Sequence, residues 1–365
     1  MGPDRLCASE VDMQKSKAKP DRKTWPAKGR VTVKDIAKAL DVSVATVSRA
    51  LSNDPTIADK TRERVLKKAD EMGYSPNLFA RGLITQRSRI AALFVSNITN
   101  PFYPEVVVKL TRRLQALGLH TMLFTSDGTS GVDEALPLLT QYNPDIAIVL
   151  AATMSSETVK KCVEGRTPVI LFNRYVSGAN VSAVCCDNYS GGRLVAETLA
   201  GAGHKAPAYI SGLDDASTNV DRLRGFRDGC AAVGLPEPAV ISGRDFTYEA
   251  GYIGMKELFA GKSKPDAVFC GNDIIAIGAM DAARRELGLS IPDDVSVIGF
   301  DDIAMASWPS HELTTVRQPM NAMIDEVIIE INRLLSQEDS QPQQRFLPGR
   351  LMVRTSMRLK EDDAR

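Results

Sequence analysis

The sequence predicts a small all-α headpiece, followed by an α/β body whose parallel sheets form two lobes. In residues 31–76, apolar side chains recur at helical spacing in three short segments. From residue 90 onward, short apolar runs alternate with longer amphipathic segments, which is typical of parallel strands covered by helices. This second part is about 275 residues long, which is enough for two lobes.

Composition and charge limit the function classes. Of the 365 residues, 44% are hydrophobic and 25% are charged, which excludes a disordered or low-complexity protein. The net charge is zero, yet residues 1–88 contain 18 Lys and Arg against 11 Asp and Glu, and the remainder contains 27 against 34. This asymmetry indicates a basic module for a polyanion, attached to an acidic body that binds something else.

The sequence lacks the patterns that are typical of membrane, secreted or disulfide-bonded proteins. No apolar run approaches the roughly 20 residues of a membrane helix. The first 29 residues mix charged residues with Pro and Ser, so we expect residues 1–30 to be a disordered tail rather than a secretory signal. The six cysteines show no paired CxxC spacing, which favours free thiols in the cytoplasm over disulfides or a metal site.

The headpiece elements follow from caps and apolar spacing. Thr32 begins the first helix in a capping-box arrangement with Asp35, and Ser43 begins a second helix that runs to Leu51. A third helix extends from about Asp59 to Gly73. The apolar positions of the three helices are Val33, Ile36, Ala37, Leu40, Val44, Val47, Ala50, Val65, Leu66, Ala69 and Met72.

Two further segments complete the predicted organisation. Residues 77–84 could form a helix of fewer than three turns, which is too short to be stable alone in water and needs a partner. The sequence therefore divides into a helical headpiece at 31–76, a short connecting segment at 77–88 and an α/β body at 89–365. In the body, strands are predicted at 90–96, 121–125, 146–151, 169–172, 208–211, 268–270 and 295–299, and ligands of such sheets bind at the carboxyl ends of the strands.

The first two helices and their tight turn form a helix-turn-helix pattern. Its second helix would offer Arg49 to guanine, and Val44 and Ala45 to thymine methyl groups, in a DNA major groove. Hydroxyl donors to the phosphates would be Thr32, Ser43, Thr46 and Ser48. A small three-helix domain with an accidental spacing remains the alternative interpretation of the pattern alone.

Longer motifs add a family resemblance. The sequence has VKDIA at 33–37, VSVATVSR at 42–49, TRERV at 61–65 and GYSPN at 73–77, followed by NPFY at 100–103, DRLRGF at 221–226, GND at 271–273 and GFDD at 299–302. Residues 31–358 thereby resemble the lactose/galactose repressor (LacI/GalR) family. The resemblance implies a DNA-binding domain at 31–76, a hinge helix and linker at 77–88, and an effector-binding and dimerisation domain at 89–365. This last domain would be a periplasmic-binding-protein-like body whose chain crosses between the lobes several times.

The resemblance also implies how DNA is bound. Residues 77–84 correspond to a hinge helix that folds when a homodimer sits on its operator, with Asn77 at the DNA and Leu83 wedged into the minor groove. Val44 and Ala45 match the Val-Ala subtype of recognition helix, which implies a pseudo-palindromic operator with a central CpG. One departure is Ala58, which stands where the family commonly has a Ser or Thr cap.

For the body, the resemblance implies a sugar-like effector between the lobes. Aromatic rings would stack on the sugar and polar groups would hydrogen-bond it. Three arginines against one aspartate in this set favour a sugar acid or sugar phosphate over a neutral sugar. Any single member could instead be a surface or interlobe ion-pair residue. The ten positions are Asn100, Phe102, Tyr103, Asn173, Arg174, Arg222, Phe246, Asn272, Asp301 and Arg317.

The sequence gives little evidence of a catalytic site. Its three histidines lack metal-binding spacing, and no nucleophile or acid/base pair is evident, so we expect no catalytic residue, metal or cofactor. Asp302 follows the carboxylate of Asp301 directly and is expected to be a solvated cap. Cys185 and Cys186 are expected to pack at a strand end.

The sequence thus favours a ligand-controlled DNA-binding regulator, a repressor in the first instance, that acts as a homodimer. Its alternatives are an activator or corepressor-dependent regulator, a solute-binding protein of the same two-lobed fold, and a sugar-metabolising enzyme.

Overall fold

The structure is a computed structural model that describes residues 31–75, 87–96, 98–125, 141–150, 167–261, 264–336 and 341–360. Its contacts divide the chain into two compact units, represented here by residues 31–75 and by residues 87–360. No helix in these ranges is long and apolar enough to cross a membrane.

The headpiece contains three helices, α1 (Val33–Leu40), α2 (Val44–Leu51) and α3 (Asp59–Glu71). They enclose a small core to which each helix contributes one pair of buried residues: Ile36 and Ala37, Val47 and Ala50, Val65 and Ala69. The predicted burial of Leu66 is wrong, because its side chain is 49% exposed. Leu66 follows Val65 directly, and a step of about 100° around the helix turns it away from the core.

The described body alternates strands and helices as predicted, and the fold class is confirmed. In chain order its elements are β1 (Ile90–Val95), α4 (Phe102–Ala116), β2 (His120–Thr125), β3 (Ile146–Leu150), β4 (Val169–Phe172), β5 (Ser182–Cys186), α5 (Asn188–Gly201), β6 (Pro207–Ser211), α6 (Ser217–Ala232), β7 (Ala239–Ser242), α7 (Tyr248–Ala260), β8 (Ala267–Cys270), α8 (Asp273–Arg285), β9 (Ser296–Asp301), a 3₁₀ turn (Ala304–Ser307), β10 (Thr314–Arg317), α9 (Met320–Ser336), β11 (Gln344–Leu347) and β12 (Arg350–Met352).

Each lobe has one six-stranded sheet. The first sheet has the strand order β11-β5-β4-β3-β1-β2, and all of its described pairings are parallel. The second has the order β12-β10-β9-β8-β6-β7 and is parallel except for the short β12 at its edge. Strands β1, β3, β4 and β5 are buried along their whole length, as are β6, β8 and β9 in the second lobe. Continuous burial explains why these strands lack the polar alternation of a half-exposed sheet.

The chain passes between the lobes three times in the described ranges. The passages run from β5 to α5, from β10 to α9, and from β11 to β12. They lie against one another: a Cβ atom at Gly349 would come within 3.3 Å of the Cys186 Sγ atom and of the Arg317 carbonyl oxygen. Three adjacent crossings form a hinge about which two lobes can close on a ligand.

Candidate functional site

The first candidate surface is one face of α2. Val47 and Ala50 point into the headpiece core, whereas Val44, Ala45 and Arg49 are exposed. Val44, at the start of α2, is 46% exposed, although apolar side chains such as valine are usually buried. The predicted DNA-reading residues therefore share the face opposite the core.

Arg49 is available for an external partner. No carboxylate of the described residues lies within ion-pair distance of its guanidinium, unlike Arg62, which binds Asp59 at 2.6 Å. A free guanidinium keeps both of its terminal nitrogens for a bidentate contact with guanine.

The hydroxyl groups near this face are partly engaged in caps. The Ser43 Oγ atom accepts a bond from the Thr46 backbone N–H at 3.0 Å and lies 2.8 Å from the Thr46 hydroxyl. The carboxylate of Asp35 accepts bonds from both the N–H and the hydroxyl of Thr32, at 2.8 and 2.7 Å. Ser48 is partly exposed on α2. Ala58 supplies no cap to α3, and Asp59 does not replace it because its carboxylate binds Arg62. Asn77 and Leu83, and with them the predicted hinge helix, lie outside the described residues.

The second candidate site is a cleft between the two lobes of the body. The space between its lining side chains, including a part that is open to solvent, is about 280 Å³. The lining residues follow the carboxyl ends of strands in both sheets, where open parallel sheets bind ligands. The first lobe contributes Asn100, Tyr103, Asn173 and Arg174, and the second contributes Thr218, Arg222, Phe246, Asn272 and Asp301.

Arg222 is the most constrained side chain of the cleft. It is 2% exposed and its guanidinium stacks on the Phe300 ring, with 3.6 Å between its Cζ atom and the ring centroid. Its Nε–H donates to the Asn188 Oδ1 atom at 2.8 Å and its Nη1–H to the Gly271 carbonyl at 2.5 Å, while Nη2 lies 3.6 Å from the Asp301 carboxylate. These contacts hold the guanidinium in one orientation before any ligand arrives.

Asp301 lies at the end of β9 with a strained backbone. Its φ angle of 124° is unusual for a residue other than glycine, and such strain concentrates at functional sites. The Gln318 Nε2 atom donates to its carboxylate at 2.7 Å. Burial raises the pKa of Asp301 above its ordinary value, and Arg222 and Gln318 oppose that shift. Burial also raises the pKa of Asp273, and the charge of Asp301 raises it further.

In the first lobe, Asn173 and Arg174 follow β4. Asn173 has a φ angle of 67°, a left-handed conformation that Asn tolerates better than most residues. Its Nδ2 atom donates to the Tyr103 hydroxyl at 3.1 Å, whereas its Oδ1 atom is buried without a partner among the described residues. The Nε atom of Arg174 is buried and unpartnered in the same way. Unsatisfied buried polar atoms at a cleft indicate a polar ligand or ordered water.

Phe246 supplies an aromatic wall from the second lobe. Its ring lies against Gly212, where a Cβ atom would come within 2.3 Å of the ring. Only glycine leaves room for this approach, so Gly212 fixes where Phe246 meets the cleft. Thr218, on the first turn of α6, also lines the cleft but was not predicted, because a single threonine carries no motif.

Eight of the ten predicted effector positions therefore surround one cleft, and two do not. Phe102 is 2% exposed and packs edge-on against Tyr103 as part of the core. Arg317 is half exposed and binds Asp302 at 2.5 Å instead of facing the cleft. The expectation that Asp302 is a solvated cap is wrong, because its side chain is 5% exposed and also binds Arg354 at 2.6 Å.

Tyr175 joins the lobes beside this cleft. It follows β4 in the first lobe, and its hydroxyl donates to the Asp221 carboxylate of α6 at 2.8 Å. Its backbone N–H donates to the Ser217 Oγ atom at 3.1 Å. Burial and the neighbouring Asp221 carboxylate raise the pKa of Tyr175 to about 12, so its hydroxyl stays protonated as the donor at neutral pH. These bonds join the two lobes across the cleft.

The adjacent cysteines of β5 pack in the interior of the body. Cys185 and Cys186 are buried in β5 as predicted, and burial raises the pKa of both thiols, to about 12 for Cys186. Residues 31–75, 87–96, 98–125, 141–150, 167–261, 264–336 and 341–360 contain no cluster of three or more His, Cys, Asp or Glu suited to a metal ion.

Comparisons with known proteins identify the family of the headpiece and of the body. Residues 32–77 match the model for bacterial regulatory proteins of the lacI family, and residues 196–357 match a periplasmic binding protein-like domain. The HTH-type transcriptional regulator AscG of Escherichia coli is 31% identical over 89% of this chain and 98% of its own length. The chain belongs to the lacI family.

Solved structures extend this result to the fold. The transcriptional regulator CelR in complex with cellobiose is 29% identical over 90% of this chain and all of its own, with a TM-score of 0.69. The lac repressor dimer bound to operator and the anti-inducer ONPF is 23% identical over 90% of this chain and 99% of its own, with a TM-score of 0.81, which shows the same fold. As a lacI-family member, the protein is a DNA-binding transcription regulator and not an enzyme.

Proposed function

We propose that this regulator is a cytoplasmic homodimeric repressor whose affinity for its operator is lowered by a sugar-like effector bound between the lobes of the body. In DNA binding, α2 lies in the major groove, with Arg49 on a guanine and Val44 and Ala45 on thymine methyl groups. Two copies read the halves of a pseudo-palindromic operator. The same chain thus carries a DNA-reading face and a ligand cleft.

The observation that carries the proposal is the cleft itself. Polar side chains from both lobes surround it, and buried polar atoms of Asn173 and Arg174 lack partners among the described residues. A ligand that bonds to both lobes favours their closed arrangement over the open one, and this difference in affinity shifts the population of the two states. The complex of the related CelR with cellobiose supports a saccharide as the ligand class.

A direct experiment measures operator binding by the full chain. The operator is first selected from random double-stranded DNA, and its affinity is then measured by fluorescence anisotropy with and without candidate sugars. The proposal expects a pseudo-palindromic operator, steep weakening with salt, and release by at least one sugar. A ligand that tightens operator binding instead would indicate a corepressor, and DNA binding that no sugar alters would contradict the effector part.

Closure can be tested at Tyr175. Changing Tyr175→Phe removes the hydroxyl bond to Asp221 but keeps the ring. Because that bond exists only when the lobes are closed, we expect effector affinity to fall by roughly 3- to 30-fold while operator affinity without effector is retained or rises. Isothermal titration and anisotropy measure the two affinities.

Tyr189→Phe is the matched control. The Tyr189 hydroxyl donates to Asp228 at 3.0 Å, a tyrosine–aspartate bond of similar length between α5 and α6 of one lobe. Effector affinity should stay unchanged in this variant. Equal losses in both variants would show that the Tyr175 bond stabilises the fold rather than closure.

A further inference from the structure

The charge balance of the cleft limits the chemistry of its ligand. Two guanidinium groups and one carboxylate, those of Arg174, Arg222 and Asp301, border the empty volume. The Nε and Nη1 atoms of Arg222 donate to Asn188 and Gly271, its guanidinium stacks on Phe300, and its Nη2 atom lies 3.6 Å from the Asp301 carboxylate. Arg222 and Asp301 therefore neutralise each other within the protein.

Arg174 has no such partner. No carboxylate of the described residues lies within 4.0 Å of its guanidinium, and its buried Nε atom donates to nothing there. The guanidinium lies over the face of the Phe246 ring, whose centroid is 5.4 Å from the Cζ atom. A ring face attracts a cation weakly and does not cancel its charge.

The neighbouring carboxylates are already engaged. Asp221 accepts the Tyr175 hydroxyl and binds Arg224 at 3.0 Å. Asp273 lies behind Asp301, where it accepts bonds from the Thr315 hydroxyl at 2.5 Å and the Ile303 N–H at 2.8 Å. Asp215 borders an adjoining pocket together with Arg174, but no ion pair joins them. Arg174 thus remains the cationic group of the cleft that no carboxylate of the described residues pairs.

We propose that the effector is a sugar acid whose carboxylate binds Arg174 and whose ring hydroxyls bind the Asp301 and Arg222 end of the cleft. This inference rests on the proposed function and specifies its ligand class. The planar guanidinium fork of Arg174 matches a carboxylate in a bidentate geometry. One negative charge pairs with Arg174, whereas a phosphate dianion would bring a second negative charge toward Asp301.

Matched pairs of sugars test the assignment on the full chain. D-Glucuronate and D-galacturonate are compared by isothermal titration with D-glucose and D-galactose, which carry a hydroxymethyl group in place of the carboxylate, and with the two hexose 6-phosphates. We expect one uronate to bind roughly 10- to 100-fold more tightly than its neutral counterpart, because a charge-assisted bond is lost in the latter. The same uronate should release the operator.

The variant Arg174→Gln tests whether Arg174 causes the preference for the uronate over the neutral sugar. This variant should lower the affinity for the uronate until it matches that for the neutral sugar, whose own affinity changes little. Arg193→Gln is the control, since it also removes one positive charge from the body but from an exposed i,i+4 pair with Glu197. The uronate preference should persist in the control.

Several results would overturn the inference. A neutral hexose that binds as tightly as its uronate would contradict the preference for an anion, and so would an Arg174→Gln variant that weakens both sugars equally. The proposed function stands if that hexose releases the operator. A hexose phosphate that binds most tightly contradicts the carboxylate assignment. If neither uronate binds, the inference fails, whereas the proposed function fails only if no sugar releases the operator.

Discussion

Replacing Arg222 by alanine is expected to abolish the response to effector while operator binding persists. The guanidinium is 2% exposed and satisfies the Asn188 Oδ1 atom, the Gly271 carbonyl and the Asp301 carboxylate. Its removal leaves Asp301 buried beside Asp273 without the opposing charge, so effector affinity should fall by roughly 100-fold or more. The free energy of unfolding should fall by about 3 kcal/mol or more.

Two further variants separate binding from folding. Arg222→Lys keeps a positive charge beside Asp301 but loses the planar stacking on Phe300, so the body should be less destabilised than in Arg222→Ala and should still bind effector weakly. Arg227→Ala removes a half-exposed arginine from the same helix and should change neither property. Denaturant unfolding and titration with effector measure both. An Arg222→Ala variant that still responds normally would remove this residue from the effector site.

Replacing Arg49 by alanine is expected to lower operator affinity by roughly 5- to 150-fold, with a smaller loss on random DNA. The side chain is exposed on α2 and has no ion-pair partner in the described part of the headpiece, so its loss removes only a surface electrostatic interaction with Asp54. The lost bidentate contact with guanine should relax base preference at one position in each half of the operator. Competition binding of selected and random DNA measures the ratio.

Arg64→Ala supplies the control for charge alone. Arg64 is exposed on α3 and not on α2, so its removal should leave the ratio of specific to random binding unchanged. If Arg49→Ala weakens operator and random DNA equally, then Arg49 contacts a phosphate rather than a base, and the proposed docking of α2 is wrong.

The fold could be predicted where local pattern and tertiary structure agree. All seven predicted strands are present with ends within two residues, because long apolar runs fit a buried parallel sheet. Five others were not predicted: β5, β7, β10, β11 and β12. Strand β5 has the sequence SAVCC and β10 has TTVR, in which short polar residues conceal full or nearly full burial that only the neighbouring strands determine.

The site could be predicted as a set of residues but not as a geometry. Motif resemblance selected eight of the nine residues that line the cleft, since Asn, Arg and Asp at strand ends are recognisable in sequence. It could not separate Arg174 from Arg222 and Arg317, because the difference lies in their partners. Arg317 faces Asp302, Arg222 faces Asp301, and Arg174 faces no carboxylate in the described residues. Pairing is a property of the folded chain.

The central claim is that the cleft and the DNA-reading face are coupled. The most direct test measures operator affinity of the full chain with and without saturating effector, and effector affinity with and without operator. Because linkage is reciprocal, the account predicts that each ligand weakens the other by the same factor, roughly 5- to 150-fold. An effector that binds in the cleft with equal affinity to the free and the operator-bound protein would contradict it.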